Sequence, residues 1–190
     1  MNKSLKTLTE GAVMVALAVA LSYLKIPIGL AFGGFGGSID LVMIPLIVFA
    51  VHRGLGWGLG AGLVFGTLKY FFAGGSALNW ESMLLDYSVA YMFVGFAGLM
   101  HGKHQEGRAW ALPLGALIGC ACRFLIHFIS GVTIYAEYFE DVFMGVEGLT
   151  PVTYSILYNG TYMLPNTVLA IILCVLLEKP LRLAFKRLDG

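Results

Sequence analysis

Four ionisable residues stand inside otherwise apolar stretches of this chain: Lys69, Asp86, Arg123 and His127. Such groups are costly at membrane depth and face the interior of a helical bundle rather than hydrocarbon. Arg123 and His127 are four residues apart, so a helix puts them on one face. Asp86 is followed by Tyr87, with Tyr91 one turn on, and Tyr154, Tyr158 and Asn159 open a later segment. Polar and aromatic groups from three helices at one depth read as a binding pocket reached from outside. Each residue also has a plainer reading. Tyrosines gather at membrane interfaces, and Lys69 or Arg123 would serve as well by snorkelling or by bridging to Asp86 or Asp40.

No catalytic constellation accompanies these residues. The sequence holds no HExxH, no Walker A lysine loop, no GxSxG elbow and no carboxylate pair flanking a base, so it is not expected to be an enzyme. Without a nucleotide site it cannot hydrolyse ATP, and uphill movement of a solute would draw on a partner or an ion gradient. His101 and His104 lie close enough to catch a metal, but a solvated turn is the simpler expectation, and no metal or other cofactor is predicted. Cys120, Cys122 and Cys174 fit no zinc or redox spacing and read as small packing residues.

The elements that position these groups are membrane helices. Of 190 residues, 58% are hydrophobic and 12% charged, against about 25% charged in soluble domains, and mean hydropathy is +0.83. One all-α, polytopic transmembrane domain is predicted, with six helices near 5–25, 39–52, 55–73, 82–100, 109–131 and 152–178. Five is the alternative count, because the second segment is short and the third is rich in glycine. The first apolar run lacks a small-residue cleavage box, so it is expected to stay. Nine of the twelve Lys and Arg residues fall on one side if both termini are cytoplasmic, which the positive-inside rule favours. A net charge of +1 gives no support to a nucleic-acid partner.

Three further features carry expectations. Ala12, Ala16 and Ala20 make a small-residue stripe suited to another transmembrane helix, or to packing within the bundle. Gly54, Gly56, Gly58, Gly60, Gly62 and Gly66 relax bulk around the third helix, for close packing or bending. The long connector 131–150 is aromatic and acidic, and is expected to pack down on the helices as a lid. Trp57, Trp80 and Trp110 stand at helix ends as interfacial anchors.

Ordered local matches point to a family. They are Leu8-Thr9-Glu10-Gly11 into the alanine stripe, Ser22-Tyr23, Met43-Ile44-Pro45-Leu46 with His52-Arg53-Gly54, and Gly56-Trp57-Gly58. Next come Asp86-Tyr87 leading to Gly95-Phe96-Ala97-Gly98, and Arg123 with His127-Phe128-Ile129-Ser130-Gly131-Val132. Tyr154-Ser155 and Asn159-Gly160-Thr161 complete the set. Over nearly its whole length the chain resembles the thiamine-specific substrate-binding (S) components of bacterial energy-coupling factor (ECF) transporters.

That resemblance implies capture of extracellular thiamine in a plasma-membrane protein. It also implies a transmembrane scaffold subunit of the EcfT type and two ATPase subunits of the EcfA type, which use the ATP. By resemblance Asp86 faces the thiazolium, with Tyr87 beside it, and His127 and Tyr135 meet the ligand rings. Tyr154 and Asn159 hold the aminopyrimidine, while Ala12, Ala16 and Ala20 contact the scaffold. Three positions depart from the family pattern. Asp86 replaces a glutamate, Tyr135 a tryptophan, and the first loop offers Phe32 or Phe35 instead of a tryptophan. Lys69 near a cationic ligand calls for a neutralising acid. Competing expectations are an S component for a different vitamin or a thiamine precursor, and a stand-alone ion-coupled secondary transporter.

Overall fold

The computed structural model describes residues 2–28 and 36–189, with side chains through residue 186. The first-loop positions Phe32 and Phe35 therefore lie outside the described residues. The described residues form six helices: α1 (Lys3–Leu21), α2 (Met43–Arg53), α3 (Leu55–Phe72), α4 (Trp80–Gln105), α5 (Ala111–Thr133) and α6 (Pro151–Asp189). Two antiparallel pairs of two-residue strands interrupt the connections: Ile26–Pro27 with Ser38–Ile39, and Val142–Phe143 with Val146–Glu147. Helices α1, α4 and α5 are each long and apolar enough to cross a bilayer, and α2 is a shorter apolar helix. This is an all-α polytopic membrane protein.

Helix α2 is the hub. Nearly every residue from Met43 to His52 is buried, including Leu46, Ile47, Phe49 and Val51, so this short segment sits inside the bundle instead of facing lipid. The segment expected from residue 39 starts later, because Ile39 pairs with Ile26 and Asp40 turns the chain into the helix. Helix α1 packs on α2 through Gly11, where an added Cβ would stand 2.9 Å from the Phe49 ring. Arg53 ties the same two helices by a two-pronged ion pair to Glu10, at 2.6 and 2.8 Å. Gly11, Val15 and Ala18 of α1 face inward, whereas Ala12, Ala16 and Ala20 are all exposed. The alanine stripe is not used for packing inside this chain.

Glycines set the contact between α3 and α4. A Cβ on Gly62 would lie 2.1 Å from the Tyr91 carbonyl oxygen, and one on Gly66 would lie 2.2 Å from that of Tyr87. Gly58 meets Ala50 and Gly95 in the same way. Of the glycine tract, only the members at four-residue spacing make the close approach. Gly56 and Gly60 have nothing within 4 Å.

Helix α4 is not uniform. A π-helical turn, Leu84–Val89, follows its first turn, and a tighter 3-10 stretch, Gly95–Met100, precedes its end. It runs on through Gln105, so the His101–His104 segment is helical and not a solvated turn; His101 Nδ1 lies 3.1 Å from the Val51 carbonyl oxygen. Helix α6 likewise passes the expected end at residue 178. Its 39 residues span about 58 Å at 1.5 Å per residue, well beyond a hydrocarbon core of about 30 Å. Pro180 removes one backbone donor, but the extension is anchored. Arg182 pairs with Glu178 one turn back and donates to the Gly107 carbonyl, and Phe185 stacks on His52 at 3.6 Å.

Gly62→Ala is expected to cost more than about 2 kcal/mol, since its methyl would meet backbone that cannot yield. Gly60→Ala should be neutral or stabilising by up to about 1 kcal/mol, as alanine is the better helix former. Thermal unfolding of the detergent-solubilised variants checks both.

Candidate ligand-binding site

Helices α3 to α6, with Lys25, Pro27 and Gly36–Ser38 of the first connector, line a cavity of about 200 Å³, smaller than the roughly 300–1,000 Å³ of typical ligand pockets. Its wall includes Asp86 and Tyr87 from α4, His127 from α5, Tyr135 just beyond α5, and Tyr154 and Asn159 from α6. Lys69 and Arg123 line it too, together with Tyr91. The side chains singled out from sequence on separate helices therefore share one cavity.

The π-helical turn explains how α4 serves it. The Ala90 N–H bonds back to the Leu85 carbonyl, five residues away, which swings the following side chains relative to a regular α-helix. Asp86 and Tyr91 consequently reach the cavity at different levels. Asp86 stands 3.3 Å from His127 Nδ1. An Nδ1–H directed at that carboxylate leaves Nε2 as an acceptor, and Nε2 is buried with no partner among the described residues. Burial and the neighbouring Asp86 carboxylate push the Tyr135 hydroxyl above its ordinary pKa, so it stays a protonated donor beside Asp86.

The floor is charged. Lys69 Nζ donates to Asp40 Oδ2 at 3.1 Å and to the Tyr91 hydroxyl oxygen at 2.6 Å. Arg123 Nη2 donates to the same oxygen at 3.0 Å, and Nη1 lies 3.3 Å from Met43 Sδ. Its guanidinium carbon is 4.3 Å from the centre of the Tyr91 ring, which Phe65 braces edge-on at 4.8 Å. Lys69, Tyr91 and Arg123 are exposed by only 7%, 1% and 6%. Neither base snorkels. Of the two acids open to Lys69 in the sequence reading, the partner is Asp40.

Helix α6 supplies a ladder of tyrosines at four-residue spacing. Tyr154 and Tyr158 stack with ring centres 5.9 Å apart and planes 7° apart, and Tyr162 follows at 6.0 Å. The Tyr158 hydroxyl donates to the Gly36 carbonyl and accepts from the Gly36 N–H. Gly37, at φ +96°, lies flat on Tyr162, where a Cβ would come within 2.5 Å of the ring. The end of the first loop is thereby seated on the ladder. Asn159 is fully engaged by the protein: its amide nitrogen donates to Ser155 O at 2.9 Å, and its oxygen accepts from the Tyr162 hydroxyl at 2.5 Å. The connector 131–150 packs down at one point, with Phe143 buried edge-on against Tyr154 and Tyr158 at 5.4 and 5.9 Å, while most of its residues beyond 136 are exposed.

A carboxylate, an imidazole acceptor and stacked rings in one enclosed space suit a planar cation bearing an amine. Comparison with known proteins agrees. Residues 8–185 match the family described as thiamine transporter protein (Thia_YuaJ). The chain belongs to that family. It is 31% identical over 185 residues to the thiamine transporter ThiT of Lacticaseibacillus paracasei, covering 90% of this chain and 86% of the relative. The ThiT of Bacillus subtilis is 30% identical over 189 residues, with 92% of each covered. A solved structure of ThiT from Listeria monocytogenes superposes with a TM-score of 0.77 at 27% identity, covering 94% of this chain and 96% of the other.

Within this thiamine-transporter-family chain, sequence reading missed Tyr162 and the part of Tyr158 in seating a loop, and it left the partner of Lys69 open between Asp40 and Asp86. The spacing of Tyr154, Tyr158 and Tyr162 was a usable signal for the first. Removing the Tyr162 hydroxyl would leave the Asn159 oxygen buried without its donor. Tyr162→Phe should therefore cost about 1–3 kcal/mol of stability, read as a lower unfolding temperature in detergent.

Proposed function

We propose that this chain captures thiamine from outside the cell in the Asp86–His127 cavity, as the S component of an energy-coupling factor transporter. It is a transport protein rather than an enzyme, holds its ligand without a cofactor, and hydrolyses no ATP. A transmembrane scaffold subunit of the EcfT type and two ATPase subunits of the EcfA type are the proposed partners that drive release inward. The observation that carries this reading is a single carboxylate facing aromatic rings, in a chain whose relatives are thiamine transporters over almost their full length.

In this reading Asp86 supplies the countercharge for the thiazolium, with Tyr87 beside it, and Tyr135 stacks on a ligand ring. His127 Nε2 accepts from the exocyclic amine, and Tyr154 with Asn159 shapes the aminopyrimidine end. The shorter reach of Asp86 compared with a glutamate is supported from behind by His127, so the carboxylate is oriented even though it projects less far. All six helices cross or enter the bilayer with both termini cytoplasmic, and the nine basic residues on that side support the orientation. The exposed Ala12, Ala16 and Ala20 are the proposed docking stripe for the scaffold. Their exposure on a helix that turns Gly11 and Ala18 inward supports that role.

Thiamine should quench the intrinsic fluorescence of the detergent-solubilised protein with micromolar or tighter affinity. Asp86→Asn should weaken that affinity by roughly several-fold to a hundredfold, because the ligand cation loses its countercharge. Unchanged affinity would remove Asp86 from the site, and silence with thiamine alongside a response to another vitamin would reassign the ligand. Ala16→Trp should leave thiamine binding intact while abolishing assembly with the scaffold and uptake; a variant that still transports normally would end the docking role.

A further inference from the structure

We propose that Asp40, which does not line the cavity, sets the cavity's preference for a cationic ligand by neutralising Lys69. The inference rests on the thiamine reading given above and adds a selectivity determinant to it.

The charges make the case. Lys25 also lines the cavity, but it is exposed, with Nζ on the Ala73 carbonyl at 3.1 Å, so water screens its charge. At the buried floor Lys69 and Arg123 are both cations, and Asp86 is the one carboxylate among the described lining residues. Those three alone sum to +1, an environment that would repel an incoming thiazolium. Asp40 lies one shell behind, its side chain about 1% exposed, with Oδ2 on Lys69 Nζ at 3.1 Å. Counting it, the four groups sum to zero, which leaves Asp86 free to act as countercharge for the ligand rather than for the protein's own lysine.

Asp40 is built to hold that position. Its Oδ2 also accepts from Ser38 Oγ at 3.0 Å and its Oδ1 from the Val42 N–H at 3.3 Å. Asn166 of α6 accepts the Asp40 N–H at 2.9 Å and donates to the Ser38 carbonyl at 2.7 Å, clamping the backbone on both sides. Lys69 in turn is only 7% exposed, with its ammonium held by Asp40 and the Tyr91 hydroxyl at the cavity floor. In so buried a setting an unbalanced charge is screened less than at the surface, and it acts across the cavity. Asp40 is thus a positioning residue that acts on the ligand through Lys69.

The test compares thiamine with its neutral thiophene isostere, in which carbon replaces the charged ring nitrogen. Asp40→Asn should weaken thiamine binding roughly 10- to 100-fold while changing isostere binding by less than about threefold. The double variant Asp40→Asn/Lys69→Met should return the thiamine-to-isostere affinity ratio to within about threefold of wild type. Lys69→Met alone leaves Asp40 charged near the cavity, so its ratio should equal or exceed that of wild type, and this holds the proposal to account if Asp40→Asn does not fold. Equal losses for both ligands in Asp40→Asn, a ratio not restored in the double variant, or a lowered ratio in Lys69→Met would each overturn the role of Asp40. Wild-type protein that binds neither ligand would instead overturn the thiamine reading, and this inference with it.

Discussion

Two buried cations converge on a single phenol oxygen, and the arrangement of the bundle follows from keeping them there. Lys69 from α3 and Arg123 from α5 both donate to Tyr91 of α4, and Asp40 at the entrance to α2 completes the set. Each charge would be costly alone in a low-dielectric interior. Satisfying them together fixes how four helices are rotated about their own axes. Such buried ionic sets add little net stability compared with well-packed apolar side chains, but breaking one is expensive. Their value here is in specifying one arrangement among the many that apolar helices would accept, since lipid offers no hydrophobic force to choose between helix faces.

The glycine contact makes that convergence possible. Because Gly62 and Gly66 admit the carbonyls of Tyr91 and Tyr87, α3 and α4 come close enough for Lys69 to reach the Tyr91 hydroxyl. The π-helical turn then offsets Asp86 from Tyr91, so one helix contributes to the cavity wall and to the charged floor at once. Neither device is polar in itself. Both act by changing where polar groups point.

Much of this was legible in the sequence. Long apolar runs gave the helices α1, α4 and α5, and the isolated ionisable residues with their aromatic neighbours marked the cavity wall. What was hidden depended on geometry that periodicity does not encode. The π-helical turn leaves no signature in Leu84–Val89, since its residues suit an ordinary α-helix equally well. The choice of Asp40 over Asp86 as partner of Lys69 turns on helix rotation, and both acids lie at compatible depth. The passage of α6 through Pro180 depends on three contacts made by Arg182 and Phe185, with residues both near and far in sequence. Even the alanine stripe required the structure, because spacing alone is the same for a stripe that packs inward and one that faces out.

The division of labour between the two sides of the molecule has a physical logic. The cavity is walled by α3 to α6 and is rigid where it matters: Asn159 is held at both ends of its amide, and the loop end at Gly36 is held at both backbone groups by one tyrosine. Rigid, already satisfied groups lose little entropy when a ligand enters, which favours tight capture from dilute supply. Helix α1 contributes nothing to that wall. It is attached to α2 through Gly11 and the Arg53–Glu10 pair, and it turns its smooth alanine face away from the bundle. The docking stripe proposed above is thus separate from the cavity wall. Helix α1 meets the rest of the bundle through both α2 and α3; α3 carries Lys69 to the cavity floor, and α2, the most buried helix, holds Asp40 at its entrance.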